Sequence, residues 1–318
     1  MTHLRAGLIP MLMAVAVALG ACAMASPPAT ASPSPSVGPS GTSPTPTLGS
    51  ATPAATSSAA ASEDLSLLFT WYIDDTSKAA YLVSFDGLGQ RRILTDVTGD
   101  IRAASWSPAG DRIVFVVRDA EHPDGAISTA AADGTGAALF YDGRDAGCDS
   151  VFHPVWSPDA SAMSLVCYRD SERLADLAVL DVASMQLTTL ASYTWPEFLD
   201  GSSFWSRDGT RLAFTVLHWD PTDTFLVGSR IATIVADGSA PPVYRSEFDT
   251  NYSSPYWSPD DQQLVFNSYD LQQRDATSNL YTMNLDDSAV DELTLAADAG
   301  VDRIAVPKWD PDGTRIWV

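Results

Sequence analysis

The chain has 318 residues and carries 40 acidic against 18 basic side chains, which gives a net charge of −22. A surface this acidic repels nucleic acid and anionic lipid at long range, so a nucleic-acid-binding protein is excluded. The sequence contains no zinc-binding cysteine pairs, no phosphate-binding loop and no serine-nucleophile elbow. We therefore predict no catalytic residues, no metal and no cofactor, and an enzyme is the less favoured class.

The amino-terminal segment has the pattern of an exported lipoprotein. No charged residue occurs between Arg5 and Glu63, and residues 7–19 form an apolar run typical of a secretory signal. The run ends in Leu-Gly-Ala-Cys, which resembles the bacterial lipobox, whose cysteine receives diacylglycerol. We predict a lipoprotein signal peptide over residues 1–21 and lipidation at Cys22, with a plain signal peptide or an uncleaved anchor as the alternatives. The chain would then be held on the outer face of the cytoplasmic membrane, on its periplasmic or extracellular side.

The segment that follows contains almost only Ala, Ser, Thr, Pro and Gly, with eight prolines from Pro27 to Pro53. It has no apolar surface with which to offset the entropy of ordering. We predict that residues 22–62 are a disordered linker that starts at the lipidated cysteine. The remaining residues, 63–318, are long enough for a complete core in one domain.

Five tryptophans divide the remaining chain into repeats. They stand at intervals of 50, 49, 52 and 52 residues, and each opens a similar phrase such as WSPDASAMSL or WSRDGTRLAF. A period near 50 residues indicates one structural unit that is built several times. The tryptophans are Trp106, Trp156, Trp205, Trp257 and Trp309.

The third copy shows what one unit contains. A short apolar strand ends at Trp205, and the Ser-Arg-Asp-Gly that follows has type I turn chemistry. Residues 210–216 alternate as a second strand, residues 217–229 are a predicted loop, and a third and a fourth strand follow at 230–236 and 241–245. The other copies repeat these strands, and no segment has a helical period. We therefore predict an all-β fold of four-stranded antiparallel blades, a β-propeller.

The repeat resembles the TolB-type propeller repeat, in which WSPDG precedes an apolar strand, a strand ending in Asp-Gly and a fourth strand ending in Leu-Thr. The resemblance covers residues 66–318 and implies a WD40-like propeller with an envelope protein as its partner. TolB-like proteins resemble six-bladed rings, so six blades are preferred here and five are possible. Each chain end supplies an incomplete blade, and we expect the ring to close by joining the two ends.

The repeated residues are predicted to serve folding, because every blade needs them. Each tryptophan is expected to pack between neighbouring blades, and each turn aspartate to accept hydrogen bonds from its own turn. Departures from the motif are expected to weaken single blades. They are Ala109 in place of Asp, Arg207 in place of Pro, and Ala160 and Asp261 in place of Gly.

The loops on the two faces of the predicted ring differ. The turns between strands 1 and 2 and between strands 3 and 4 are short and repetitive, whereas the strand 2–3 and interblade loops are long and differ between copies. Binding residues concentrate on variable loops, and aromatic residues and arginine anchor interfaces, although such residues also cover blade edges. The predicted binding face consists of Tyr168, Arg169, Arg173, Trp195, His218, Trp219, Asp220, Tyr252 and Tyr269.

Two cysteines, Cys148 and Cys167, flank the second tryptophan phrase. An oxidising compartment permits pairing, and a hairpin turning near Pro158 would bring Cys167 opposite Val151 or Ser150, within reach of Cys148. A disulfide and two free buried thiols both remain open.

Three functional hypotheses follow. The first is a membrane-anchored, monomeric, extracytoplasmic propeller that acts as a protein-binding or scaffold module in the cell envelope. The alternative is a propeller-type glycan binder, hydrolase or lyase that uses the mouth of the central channel, and a third hypothesis is an assembly factor for an envelope machine. Convergent carboxylates, His218 or several arginines around one hollow would favour chemistry, whereas a flat aromatic face would favour protein binding.

Overall fold

The computed structural model describes most of the repeat region. Within the described residues the chain forms 22 β-strands and two short 3₁₀ helices, Gly143–Ala146 and Asp170–Glu172. In this part of the chain no helix has the length and apolar character needed to span a membrane. The predicted signal peptide, Cys22 and the linker lie outside it. The described residues are 66–72, 78–84, 90–201, 203–248, 251–268, 278–286, 289–295, 307–310 and 312–317.

Six antiparallel sheets follow one another along the described residues. The first has three strands and the last has two, so both end sheets are incomplete, as the sequence predicts. The four sheets between them are complete, and the first strand of the fourth sheet is split into two pieces. The strands are β1 Ser66–Tyr72, β2 Lys78–Ser84 and β3 Gln90–Ile93 in the first sheet; β4 Asp100–Trp106, β5 Arg112–Arg118, β6 Ala126–Ala131 and β7 Ala138–Tyr141 in the second; β8 Ser150–Trp156, β9 Ala162–Arg169, β10 Leu174–Asp181 and β11 Leu187–Thr194 in the third; β12 Glu197–Leu199, β13 Phe204–Trp205, β14 Arg211–Trp219, β15 Leu226–Val235 and β16 Val243–Tyr244 in the fourth; β17 Tyr252–Trp257, β18 Gln263–Ser268, β19 Asn279–Asn284 and β20 Val290–Leu295 in the fifth; and β21 Lys308–Trp309 and β22 Ile316–Trp317 in the sixth.

The hydrophobic core lies between consecutive sheets. A second strand has a neighbouring strand on each side and a sheet packed on each face, so its side chains are buried in succession. In β5 this gives five consecutive buried residues, Ile113–Val117. The largest core members recur at one position of the second strand, nine residues after a repeated tryptophan, and each is at most 2% exposed. They are Phe115, Leu165, Phe214 and Phe266.

The repeated tryptophans lie in the interfaces between sheets. Trp156 packs with Val114 and Ile127 of the sheet before it and with Met163 and Leu180 of its own sheet. A buried side chain of this size contributes a few kcal/mol of apolar burial, on the order of 25 cal/mol per Å². Each interface therefore depends on an indole that belongs to both sheets.

Two of the indoles also hydrogen-bond the preceding sheet. Nε1 of Trp205 donates to the carbonyl of Val155 at 3.1 Å, and Nε1 of Trp257 donates to the carbonyl of Phe204 at 2.8 Å. In both cases the acceptor is the residue immediately before the tryptophan of the preceding sheet. The bond therefore occupies an equivalent position in these two interfaces, whereas the Nε1 groups of Trp106, Trp156 and Trp309 are buried without a hydrogen-bond partner in the described part of the chain.

The turn aspartates accept hydrogen bonds within their own turns. The carboxylate of Asp159 accepts from the hydroxyl of Ser157 at 2.6 Å and from the backbone N–H of Ser161 at 3.0 Å, and these bonds lower the pKa of Asp159 to about 2. In the first phrase, where Ala109 replaces the aspartate, the hydroxyl of Ser107 donates to Asp111 at 2.8 Å instead. In the other phrases, the turn aspartate accepts from the backbone N–H two residues later, as Asp159 does. The distances are 2.9 Å for Asp208, 3.1 Å for Asp260 and 2.8 Å for Asp312.

Two of the motif departures contact each other across the interface between sheets, and the expectation that each departure weakens its blade stays a prediction. Elsewhere in the repeats, the glycine of one turn motif faces the proline of the turn motif in the preceding repeat. A Cβ on Gly209, for example, would lie 3.6 Å from the Pro158 ring. Asp261 stands at this glycine position with φ 57°, and Arg207 stands at the facing proline position. The Asp261 carboxylate accepts from the backbone N–H of Arg207 at 2.7 Å and of Asp208 at 3.0 Å. Proline at 207 has no N–H to donate, so the two departures depend on each other.

The predicted joining of the chain ends is not formed among the described residues. The terminal strand β22 pairs with β21, whereas β1, β2 and β3 pair only among themselves. A short turn between β21 and β22, closed by the Asp310 N–H donating to the Arg315 carbonyl at 2.8 Å, brings these two strands together. Local pairing of this kind has a small loop-closure entropy, whereas β1 lies at the far end of the repeat region.

A double-mutant cycle tests the coupling between positions 207 and 261. Asp261→Gly should lower the free energy of unfolding by about 1–2 kcal/mol, because charge-assisted bonds are lost while some left-handed backbone strain is relieved. In an Arg207→Pro background, the loss of unfolding free energy caused by Asp261→Gly should be smaller by at least about 0.5 kcal/mol. Denaturant unfolding of the four proteins measures both values, and strictly additive effects would show that the two residues act independently.

Candidate functional site

The hairpin between β14 and β15 extends beyond the other second and third strands. The sequence predicts a loop over residues 217–229, but Leu217 pairs with Ser229 and His218 with Gly228, which corrects that prediction. The turn itself covers only residues 220–225. The extension carries aromatic and aliphatic side chains past the end of the sheet.

Asp220 holds the turn of this hairpin together. Its carboxylate accepts from the backbone N–H groups of Thr222 at 3.0 Å and of Thr224 and Phe225 at 2.7 Å. The hydroxyl of Thr222 also donates to it, and this bond, followed by the backbone bonds, lowers the pKa of Asp220 to about 2. Asp220 therefore uses its acceptor capacity inside the turn and orders the tip.

Five residues lie on this hairpin or on the segments packed against it, and we call them the aromatic ledge; Arg173, Phe225 and Val227 are exposed, and the two indoles are half-buried. The indoles of Trp195 and Trp219 stack with ring centroids 6.2 Å apart and planes 25° apart. The Arg173 guanidinium lies 4.0 Å from the Trp195 ring. Phe225 and Val227 are 53% and 48% exposed. Exposed apolar side chains, stacked indoles and an arginine are the composition of a protein-interface anchor.

A second layer supports the ledge from the fourth sheet. Arg230 donates to both carboxylate oxygens of Glu197, at 3.2 and 3.0 Å, and its guanidinium lies 3.5 Å from the Tyr244 ring and 4.1 Å from the Phe248 ring. The His218 ring lies 4.9 Å from the Phe248 ring. These side chains pack against one another, so their role here is to hold β12 and the hairpin in place.

The structure places the predicted binding residues in four different environments, and one of these residues lies outside the described part of the chain. Arg173, Trp195 and Trp219 meet in the ledge, whereas His218 lies in the supporting layer and Asp220 inside the turn. Tyr269 lies outside the described residues. The other three pack elsewhere: Tyr168 lies edge-on to Phe198 at 5.3 Å, Arg169 pairs with the buried Asp176, and Tyr252 packs on Phe266 at 4.7 Å.

Phe225 and Val227 were missed by the sequence argument because they fell in a predicted loop. The segment 225–227 is apolar at every position, so the sequence shows no polar/apolar alternation there. The alternation appears only in the structure, where Leu226 is buried and the residues on either side of it are exposed.

Cys148 and Cys167 form a disulfide, with an S–S distance of 2.03 Å and Cα atoms 5.3 Å apart. Cys167 pairs in register with Val151, which brings the connection before β8 within reach. Arg169 donates to the carbonyl of Gly147 at 3.2 Å. The connection between the second and third sheets is therefore fixed to β9 by a covalent bond and a hydrogen bond.

Acidic residues lie beside the ledge. Asp170 and Glu172 belong to the short 3₁₀ helix that immediately precedes Arg173. The Asp170 N–H donates to the Asp149 carboxylate at 2.7 Å. Burial, followed by repulsion from Asp149 and Asp124, raises the pKa of Asp170. The carboxylates thus repel one another on the same face as the ledge.

The first strands of the complete sheets carry a second group of candidate site residues, which includes a histidine and an aspartate. Ala103, His153 and Ser254 all have positive φ, at bulges three residues before their tryptophans. A Cβ on Gly201 would lie 3.1 Å from Nε2 of His153, so this ring lies against the neighbouring sheet. The adjacent Asp200 has its pKa raised by burial and accepts from Ser253 at 3.4 Å. Within the described residues no three His, Cys, Asp or Glu side chains are arranged to hold a metal ion.

Comparison with known proteins identifies the architecture. No protein-family model and no curated protein matches this chain. A putative TolB from Agrobacterium tumefaciens is 20% identical and superposes with a TM-score of 0.56, over 80% of this chain and 86% of its own. The fold is a TolB-like β-propeller.

Other solved propellers match at a similar level. An oligogalacturonate lyase from Vibrio parahaemolyticus is 13% identical, with a TM-score of 0.51 over 79% of this chain and 66% of its own. A chain of a nidogen/laminin complex is 12% identical, with a TM-score of 0.51 over 73% of this chain and 76% of its own. At these identities the likeness shows the fold alone, because one propeller architecture serves unrelated functions.

Substitution of Gly228 tests how the hairpin is held. A Cβ at this position would lie 1.8 Å from the Phe248 carbonyl oxygen, so Gly228→Ala must displace either the hairpin or the segment after β16. We expect a loss of about 2–3 kcal/mol in the free energy of unfolding. Val227→Ala, an exposed change on the same strand, should stay within about 0.5 kcal/mol of the parent. Equal effects of the two changes in chemical denaturation would contradict this close approach.

Proposed function

We propose that this protein is a membrane-anchored extracytoplasmic β-propeller that binds another protein of the cell envelope, with the aromatic ledge as its binding surface. The observation that carries the proposal is the ledge itself. Phe225 and Val227 are exposed on a hairpin that Asp220 and Gly228 fix, Trp195 stacks on Trp219 of the same hairpin, and the Arg173 guanidinium lies over Trp195. Rigid aromatic anchors lose little entropy on binding, which suits them to interfaces.

The proposal includes the anchor and the linker predicted from the sequence. Lipid on Cys22 would hold the chain at the outer face of the cytoplasmic membrane, and residues 23–62 would let the propeller search the space around the anchor. The ledge would be presented by a monomer. The TolB-like fold supports a role in protein interaction, and the resemblance of the repeats to TolB supports an envelope partner.

Site-specific cross-linking in intact cells tests this function. A photoreactive phenylalanine analogue placed at Phe225, 53% exposed on the ledge, should yield one discrete protein adduct. The same analogue at Leu139, 54% exposed on β7, is the matched control and should yield none. Adducts of equal pattern at the two positions, or no adduct at Phe225, would contradict a binding role for the ledge.

A second function, glycan binding or cleavage at the channel mouth, is favoured by a different observation. His153 lies against Gly201, which follows the desolvated carboxyl of Asp200 in the chain, so an imidazole and a carboxyl occur in the first-strand regions of adjacent sheets. Such a pair can serve as general acid and base. If this function holds, the full chain should release unsaturated product from oligogalacturonate, and Asp200→Asn should remove that activity. Product formation is measured by ultraviolet absorbance. If the parent chain releases no product, this function is rejected for that substrate class.

A further inference from the structure

We propose that the partner segment received by the aromatic ledge is basic: an apolar side chain lies on Phe225 and Val227, and a neighbouring Lys or Arg lies against Asp170 and Glu172. The proposal rests on the proposed function and specifies the chemistry of its partner. It is carried by the exposed apolar tip and by the charges beside it.

The apolar half of the site is the outer end of the hairpin. Phe225 and Val227 are about half exposed, and Trp219 of the same hairpin stacks with Trp195. The buried Leu226 between them points into the protein, so the exposed pair faces solvent with no cover among the described residues. An aliphatic or aromatic side chain of a partner would remove this surface from water.

The charged half of the site has excess negative charge, because the nearby arginines are already paired with carboxylates of the protein. Arg173 is matched by Asp223, whose carboxylate lies 3.2 Å from the guanidinium. Arg169 is matched by the buried Asp176. Among the described residues, no Lys, Arg or His nitrogen lies within 4.0 Å of the carboxylates of Asp170, Glu172, Asp149 or Asp124. The surface beside the ledge is therefore negative.

The two halves are close enough to meet one bound segment. Arg173, which stacks on Trp195, directly follows the acidic helix Asp170–Glu172 in the chain. Arg173 is also paired at 3.2 Å with Asp223, which lies in the turn of the hairpin two residues before Phe225. A short peptide could therefore reach from the hairpin tip to the acidic helix.

The negative charge beside the hairpin favours a basic partner. Asp170 is repelled by Asp149 and Asp124, and Arg118 is the cation that offsets this repulsion in part. An incoming ammonium or guanidinium would relieve the repulsion, whereas an acidic segment would increase it. The net charge of −22 on the whole chain acts in the same direction at longer range. A basic segment with an apolar neighbour is the partner that satisfies both halves of the site.

Peptide selection followed by binding measurements tests the inference. A library of random short peptides displayed on phage is selected on the purified full chain. We expect the recovered peptides to contain more Lys and Arg than Asp and Glu, with at least one large apolar residue. Recovery of neutral or acidic peptides, or of none above background, would overturn the inference.

The affinity of one recovered peptide for defined variants locates its site. Phe225→Ser should weaken binding by roughly tenfold, and the pair Asp170→Asn with Glu172→Gln by roughly fivefold. Leu139→Ser and Asp291→Asn remove an exposed apolar side chain and a carboxylate on other strands and should leave fluorescence anisotropy titrations unaltered. Raising the salt concentration from about 50 to about 300 mM should weaken binding to the parent chain. Unchanged binding by the Phe225 or the acidic variant would contradict the assignment, provided circular dichroism shows a folded protein.

The outcomes separate this inference from the proposed function. A cross-link at Phe225 in cells together with neutral peptides in the selection would retain the protein-binding role and reject the basic partner. Basic peptides that bind equally well after Phe225→Ser would reject the ledge as the place where they bind.

Discussion

Burial of one tryptophan between each sheet and the next is the constraint on which this structure depends. A four-stranded sheet of short strands has two faces to cover and no helix to cover them, so it can be stable only against its neighbours. The indole supplies a large apolar surface to that contact, and in Trp205 and Trp257 its N–H also bonds the backbone of the preceding sheet. Sheets joined in this way share one geometry, because each repeats the contact of the last.

The departures from the repeat show how that geometry tolerates change. Asp261 and Arg207 replace a glycine and a proline that face each other in other repeats, and a carboxylate-to-backbone contact replaces a van der Waals contact. Neither residue is explained within its own turn. The compensation is visible only across the interface, since 54 residues of sequence separate the two partners.

The proposed binding surface lies in the part of the fourth sheet that the other repeats do not share. The fourth sheet lengthens its second and third strands, splits its first strand and directs Trp195 and Trp219 to one place. The rest of the scaffold positions this hairpin through Glu197, Arg230 and Phe248. A series of packed sheets that varies in one hairpin can gain a binding surface with little change to the interfaces on which its stability depends.

The amino-acid sequence by itself determined the strand order, the all-β class and the positions of nearly every strand, because the period near 50 residues and the Ser-Asp-Gly turns are local signals. It also placed Arg173, Trp195 and Trp219 on one candidate face. Only the tertiary structure decided that these three meet while Arg169 and Tyr252 turn into the protein, and that Phe225 and Val227 complete the surface. The physical reason is that side-chain partners are chosen by packing between sheets, and residues some fifty positions apart in sequence are adjacent there.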